Sequence, residues 1–225
     1  MAIEDDKRLA AEAAVAEVAD GMLVGLGTGS TAAFAIAALG RRVTDGFKVE
    51  AVATSGATAA AARAAGIVVR DFSTIAALDL TIDGADEIDS RLFAIKGAGG
   101  AMLREKAVAA ASRRMVVIAD GSKRVTAIGA AKVPVEVLPF ARASVVAALE
   151  RLGAAVAVRA DYVTDNGNII ADCRFPGMPD PCALAARIAA IPGALGHGLF
   201  LDEVDAAYIA ADGNVTRLER DGSSD

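Results

Sequence analysis

Met22-Leu23-Val24-Gly25-Leu26-Gly27-Thr28-Gly29-Ser30-Thr31 is the stretch on which the fold of this chain turns. Its first half is a short apolar run, the mark of a buried strand. Its second half is a turn of glycines and hydroxyls that opens a helix expected to continue through Leu39. The same alternation recurs on both sides. Before it, residues 5–19 place apolar side chains at helical spacing, with Asp5 or Asp6 as the expected N-cap and Gly21 as the stop. After it come a strand at 47–53, the loop Thr54-Ser55-Gly56 and a helix at 57–65. Strands at 67–69 and 78–82, a helix at 100–112 and a strand at 115–119 follow. This order predicts an α/β fold, a Rossmann-like and mostly parallel sheet with helices on both faces. Ligands of such sheets sit at the carboxyl ends of the strands. Gly27–Thr31, Thr54–Gly56, Asp83–Asp86 and Asp120–Lys123 all fall there.

The pattern changes after about residue 131. Strands are expected at 134–138, 155–159 and 169–173, helices at 141–152 and 181–190, and a further strand-like run from Leu195 to Leu201. Asp165-Asn166-Gly167-Asn168 is a turn between strands, and Asp180-Pro181 starts the second helix. These residues read as a smaller α+β domain with an antiparallel sheet, inserted before Ala206–Ala210 and Val215-Thr216 return to the first sheet. The expected division is 1–131 with 204–225 for the larger domain and 132–203 for the smaller.

Composition narrows the function. Of 225 residues, 54% are hydrophobic and 23% charged, and much of the apolar share is alanine, so a soluble globular protein is expected. No run reaches the roughly 18 apolar residues of a spanning helix. The acidic start from Met1 to Arg8 is unlike a signal peptide. Cys173 and Cys182 form no metal pattern, and with no disulfide framework they fit a reduced, cytoplasmic protein. A net charge of −6 argues against nucleic acid as a partner. An anionic ligand would therefore need a local basic cluster.

Such clusters lie at the strand ends. Thr28, Gly29, Ser30 and Thr31 offer a helix N-terminus to an anion, and the hydroxyls of Ser30 and Thr31 add two donors. This is no Walker A loop, since no Gly-Lys-Ser/Thr follows, but Gly27 to Ala32 matches G-x-G-x-x-A. A dinucleotide site would need an acid about 20 residues on, at a strand end. Glu50, the one available, sits mid-strand in this reading. A tight turn with no ligand is the plainer alternative. Asp83-Gly84-Ala85-Asp86-Glu87-Ile88-Asp89 puts four acids in seven residues, more than turn chemistry needs. Carboxylates this close raise each other's pKa, and a nearby lysine opposes the shift. Lys96 supplies that lysine, and Gly97, Ala98, Gly99 and Gly100 follow it with backbone that can approach a ligand closely. Glu105, in the next helix, becomes a general base beside Asp83, Asp86 and Lys96. Lys123 suits a phosphate, and Lys7 could reach the same region. His197 is the only histidine, so a histidine triad is excluded, and it reads as structural or surface.

Gly25–Ala32, Asp83–Ile88, Lys96–Lys106 and Asp120–Lys123, continued by Pro134–Val137, Leu138–Arg142 and Val163–Asn168, resemble ribose-5-phosphate isomerase of type A over nearly the whole chain. The resemblance implies interconversion of D-ribose 5-phosphate and D-ribulose 5-phosphate through an enediol(ate), in pentose phosphate metabolism, without metal or organic cofactor. It implies that Glu105 shuttles the proton and Lys96 steadies the developing oxyanion. Asp83 and Asp86, with Gly84 and Ala85, would bind the sugar and assist ring opening. Thr28 to Thr31 and Lys123, with Lys7, would cradle the phosphate, and residues 96–99 would complete the pocket. A homodimer or homotetramer is implied as well. Ala98 interrupts the family's glycine run, and Met102-Leu103 replace a region that often carries threonine.

Three other classes compete. An NAD(P)-dependent oxidoreductase rests only on Gly27–Ala32 and leaves Asp83–Glu105 without a role. A phosphosugar-sensing domain normally brings a basic helix-turn-helix, which is not found here. A deaminating amino-sugar phosphate isomerase would need a site histidine, and His197 is the only one.

Overall fold

The structure is a computed structural model that describes residues 3–178 and 180–220. Its main sheet joins β1 (Leu23–Leu26), β2 (Glu50–Ala53), β3 (Val68–Val69), β4 (Leu80–Gly84), β7 (Met115–Asp120), β13 (Ala206–Ala211) and β14 (Asn214–Glu219). Across the sheet the order is β14-β13-β7-β4-β1-β2-β3, with every pair parallel except the β13–β14 hairpin at the edge. Both faces are covered, so the central strands read as continuous apolar runs rather than alternating ones. In β7, Val116 and Ile118 face the core built with α1 (Ile3–Val15), α2 (Ser30–Thr44) and α3 (Gly56–Ala64). Met115, Val117 and Ala119 face the opposite core, with Met102 and Ala109 of α4 (Met102–Ala110).

A second sheet has the order β11-β8-β10-β9, all antiparallel, from β8 (Val133–Val137), β9 (Ala155–Val158), β10 (Ile169–Arg174) and β11 (Ala194–His197). Val145 and Leu149 of α5 (Arg142–Arg151) and Ile188 of α6 (Pro181–Ala189) bury against it.

Several expectations change in detail. Asp5 and Asp6 do not cap α1; they lie in its first turn, and Asp6 is buried accepting from Gly213 N at 3.0 Å. The run from Leu195 to Leu201 is not one strand. It breaks at Gly198, because β12 (Leu199–Phe200) leaves the second sheet to pair with β6 (Ala94–Ile95), itself paired with β5 (Glu87–Ile88). This small third sheet is absent from the sequence reading, since two-residue strands carry no periodicity. The strand predicted at 78–82 runs on through Gly84, so Asp83 is a strand residue opposite Val117 and not part of a turn. That extension places its carboxylate inside the molecule.

Candidate active site

Three elements bring Lys96, Asp83 and Glu105 together. Lys96 follows β6, its N–H donating to Gly198 O at 2.9 Å. Asp83 comes from β4, and Glu105 from the first turn of α4. Lys96 Nζ lies 2.8 Å from Asp83 Oδ2 and 3.2 Å from Glu105 Oε2, and all three side chains are buried. The ammonium also donates to Gly84 O and sits 5.3 Å from the centre of the Phe200 ring. Among the described residues neither Asp83 Oδ2 nor Glu105 Oε2 has a hydrogen-bond donor beyond this ion-paired ammonium.

Two acids around one cation cannot both ionise freely in a buried site. Burial pushes Glu105 up to about 8, helped by the Asp83 charge and opposed by Lys96. Burial also raises Asp83, with Lys96 pulling the other way. Desolvation alone would lower Lys96, but the two acids outweigh it and hold the ammonium charged. The result is a buried ammonium beside a carboxyl group that burial pushes up to about 8.

Glu105 and Lys96 open on a cavity of about 340 Å³ at the carboxyl ends of β1, β4 and β7. Gly84, Ala85 and Asp86 form one wall, and Gly97, Ala98 and Gly99 another. Asp86 Oδ2 accepts from Ala98 N at 2.9 Å, which joins the two walls. Asp83 does not line this cavity, contrary to its expected contact with the sugar. Its Oδ1 accepts from Thr28 N at 3.2 Å and Gly84 N at 2.7 Å, and its Oδ2 faces Lys96. It fits only because residue 27 is glycine: a Cβ there would lie 1.9 Å from Asp83 Oδ1.

The other end of the cavity is lined by Lys7, Thr28, Gly29, Ser30, Thr31 and Lys123. Gly29 caps α2 without a side-chain hydrogen bond, so the first amides of that helix stay open to an anion. Lys7 Nζ donates to Ser30 Oγ at 3.1 Å and to Glu4 at 2.7 Å. Lys123 makes no ion pair or side-chain hydrogen bond among the described residues, and it is carried by the turn that Asp120 caps through Ser122 N at 2.9 Å. Thr28 Oγ1 lies within 2.8–3.1 Å of the hydroxyls of Thr54, Ser55 and Thr58, which fix the turn from behind.

A model of the family described as Ribose 5-phosphate isomerase A (phosphoriboisomerase A) matches residues 50–214. The ribose-5-phosphate isomerase A of Sphingopyxis alaskensis is 50% identical over 223 residues, covering 97% of each chain. The chain belongs to the ribose 5-phosphate isomerase A family. It is an isomerase. Its relative from Gloeobacter violaceus is 48% identical over 94% of this chain and 95% of its own. Among solved structures, ribose 5-phosphate isomerase A from Neisseria gonorrhoeae superposes with a TM-score of 0.93 at 36% identity, covering 98% of this chain and 99% of that one. A D-ribose-5-phosphate isomerase in complex with phospho-erythronic acid gives 0.95 at 33% identity, covering 98% and 100%.

Within this family frame, the remaining candidates separate. Of the four clustered acids, Glu87 and Asp89 are structural. Glu87 accepts from the Gly129 and Ala131 amides at 2.7 and 2.6 Å, and Asp89 pairs with Arg91 at 2.6 Å. Met102 and Leu103 do not line the cavity; Met102 packs behind Gly97 of its wall and Leu103 on Gly196. Glu50 opens β2 at the amino end, exposed and paired with Arg70 at 2.7 Å, far from where a dinucleotide ribose would lie. His197 is buried, its pKa lowered to about 4 by burial and by Lys106, and its Nδ1 accepts from Leu199 N at 3.3 Å. Sequence reading missed Asp120 and Ser122 as cavity residues and Phe200 beneath Lys96. Asp120-Gly-Ser-Lys carried a signal for the first two; nothing in the sequence marks Phe200. No helix among the described residues is long and apolar enough to cross a membrane.

Proposed function

We propose that this isomerase interconverts D-ribose 5-phosphate and D-ribulose 5-phosphate by moving one proton between C2 and C1 through an enediol(ate). The observation that carries this reading is the buried Lys96 between Asp83 and Glu105, open to the cavity on the Glu105 side. In the aldose-to-ketose direction, the Glu105 carboxylate takes the C2 proton. The C2–H electrons form the C1–C2 double bond as the aldehyde oxygen takes up negative charge. Glu105 then returns the proton to C1 as the C2–O–H electrons form the ketone, and the C2 hydroxyl proton passes to the negatively charged C1 oxygen, which becomes the C1 hydroxyl. A pKa of about 8 suits a group that must accept and give back the same proton near neutral pH. Lys96 is already charged and fixed, so stabilising the oxyanion needs no reorganisation. Asp83 holds Lys96 from behind, and Asp86 is the carboxylate on the cavity wall available to sugar hydroxyls and ring opening.

The phosphate is assigned to the open amides of α2 with Ser30, Thr31, Lys7 and Lys123. The phospho-erythronic acid bound to the related isomerase supports a small phosphosugar ligand, since that compound joins a phosphate to a short hydroxylated acid. Residues 1–131 with 204–225 are proposed as the catalytic domain and 132–203 as the smaller one, the subunit assembling as a homodimer or homotetramer in the cytoplasm. Every step described uses side chains of this chain, so the reaction is proposed to need no metal. A coupled assay of ribose 5-phosphate conversion in excess chelator tests the whole reading. Sustained turnover is expected; activity lost to chelator would overturn the metal-free route, and no turnover at all would overturn the substrate.

A further inference from the structure

The loop after Lys96 is held from outside by the segment that leaves β9 of the second sheet. Three successive carbonyls, Gly97, Ala98 and Gly99, each accept from a side chain of the segment that follows β9. Arg159 Nη2 donates to Gly97 O at 3.0 Å and Nη1 to Ala98 O at 2.9 Å, and Tyr162 Oη donates to Gly99 O at 2.8 Å. With the carbonyls so engaged, the Ala98 amide donates to Asp86, and the Gly97 and Gly99 amides have no acceptor among the described residues. All three residues line the cavity. Donors left free on a fixed loop are what an anionic or hydroxylated ligand requires.

Arg159 is itself braced. Its Nε and Nη2 donate to the two carboxylate oxygens of Asp172 at 3.1 and 2.8 Å, a bidentate pair that sets the plane of the fork. Lys132 reaches the same carboxylate at 3.2 Å. Tyr162 packs so closely on the loop that a Cβ at Gly100 would lie 2.1 Å from its hydroxyl, and Gly100 has φ +80°. The guanidinium carbon stands 5.4 Å from the centre of the Tyr162 ring, so the two clamp residues also touch each other's field.

We propose that Arg159 and Tyr162 are positioning residues that hold the 97–100 loop in its ligand-binding shape, so that the smaller sheet sets substrate affinity without touching substrate. This rests on the isomerase reading above and extends it to residues outside the cavity. Lys96 is anchored independently, through Gly198 O, Asp83 and Glu105, so the chemical groups keep their places when the clamp is released. Loss of the clamp therefore weakens binding and spares the chemical step, the signature of interactions equal in ground and transition states.

The test uses the full chain as wild type, Arg159→Met, Arg159→Lys and Tyr162→Phe. Ribose 5-phosphate kinetics, the Kd of phospho-erythronic acid by calorimetry, and Tm are measured for each. Arg159→Met is expected to raise KM and Kd together by about tenfold and Tyr162→Phe by about threefold, each with kcat within about twofold. Arg159→Lys recovers part of the loss, because it can reach one carbonyl while still facing Asp172. A merely structural role would lower Tm and leave Kd and KM unchanged. Values of KM and Kd within experimental error of wild type in Tyr162→Phe and in a folded Arg159→Met overturn the clamp, as does a fall in kcat at constant KM. Should Arg159→Met not fold, Tyr162→Phe decides alone, since it removes one hydroxyl and keeps the ring. If the wild type does not turn over ribose 5-phosphate, the functional reading fails, while the Kd series still judges the clamp.

Discussion

The two ends of the cavity are built on opposite principles. At the Glu105 end the central charges are buried and already paired, Asp83 and Glu105 sharing the Lys96 ammonium within 3.2 Å. At the Lys123 end the donors are left open: uncapped amides of α2, a lysine with no ion pair or side-chain hydrogen bond among the described residues, and the Ser30 and Thr31 residues of the cavity lining. A paired, buried cluster costs stability to assemble and is useful only if it acts on a transition state. Uncommitted donors that solvent can reach cost little to hold and remain available to an anion. The difference teaches that turnover and affinity are housed in separate residues, and each substitution below is a way to find them mixed.

The largest effect is expected from Glu105→Gln. It removes a cavity-lining carboxyl group whose pKa burial pushes up to about 8, and kcat should fall by roughly 10³-fold or more. The Kd for phospho-erythronic acid should stay within several-fold, because the anion end is untouched. Retained isomerisation in this variant would take the proton shuttle away from Glu105.

The same residue sets two pH dependences of opposite sense. The base must be ionised, so kcat/KM of the wild type should rise with pH through about 8 and level off above it. Stability runs the other way. Burial raises the folded-state pKa of Glu105 from 4.5 to about 8, so its contribution is fully present below about 4.5 and is lost as pH climbs to about 8. In Glu105→Gln that loss is absent. The Tm difference between variant and wild type should therefore move in the variant's favour between those two pH values. A difference that stays flat with pH would mean the carboxyl is not held protonated by its surroundings.

A smaller effect is expected at the open end. Lys123→Ala should raise KM by about tenfold with kcat little changed, since the lost charge serves substrate and transition state alike. The reverse pattern would bring Lys123 into the chemistry and merge the two ends.

This division was only half visible in the sequence. Gly27–Thr31, Lys96, Glu105 and Lys123 were readable only together, since each alone has an ordinary turn or surface role and the case came from several motifs converging at the strand ends, and the parallel sheet followed from strands alternating with helices. Depth was not readable. Asp83 and Asp86 are three positions apart in one motif, yet one is buried under Lys96 and the other stands on the cavity wall. That outcome depends on β4 running two residues further and on the space left by Gly27. Glu87 and Asp89 looked equal to their neighbours and instead hold the backbone of residues 129–131 and a turn. Arg159 and Tyr162 lie in the segment after β9, far along the chain from the loop they hold, a relation that spacing does not encode.

The smallest effect tests the frame itself. A dinucleotide reading of Gly27–Ala32 would make Glu50 the ribose partner, and a parallel sheet presents such an acid at the carboxyl ends of its strands. Here Glu50 pairs in register with Leu23 at the amino end of β1, whereas Thr28 follows Leu26 at the other end. The strand between them spans roughly 10 Å at about 3.3 Å per residue. Its one ion pair, to Arg70, joins side chains that are each 47% exposed, and pairs of that kind contribute about 0–1 kcal/mol. Glu50→Ala should thus leave kcat and KM within about twofold and Tm nearly unchanged. A tenfold loss of isomerase activity, or nicotinamide dinucleotide binding that the substitution abolishes, would place a ligand where this sheet offers no site, and the glycine turn would have to be read again as a nucleotide loop rather than a phosphate cradle.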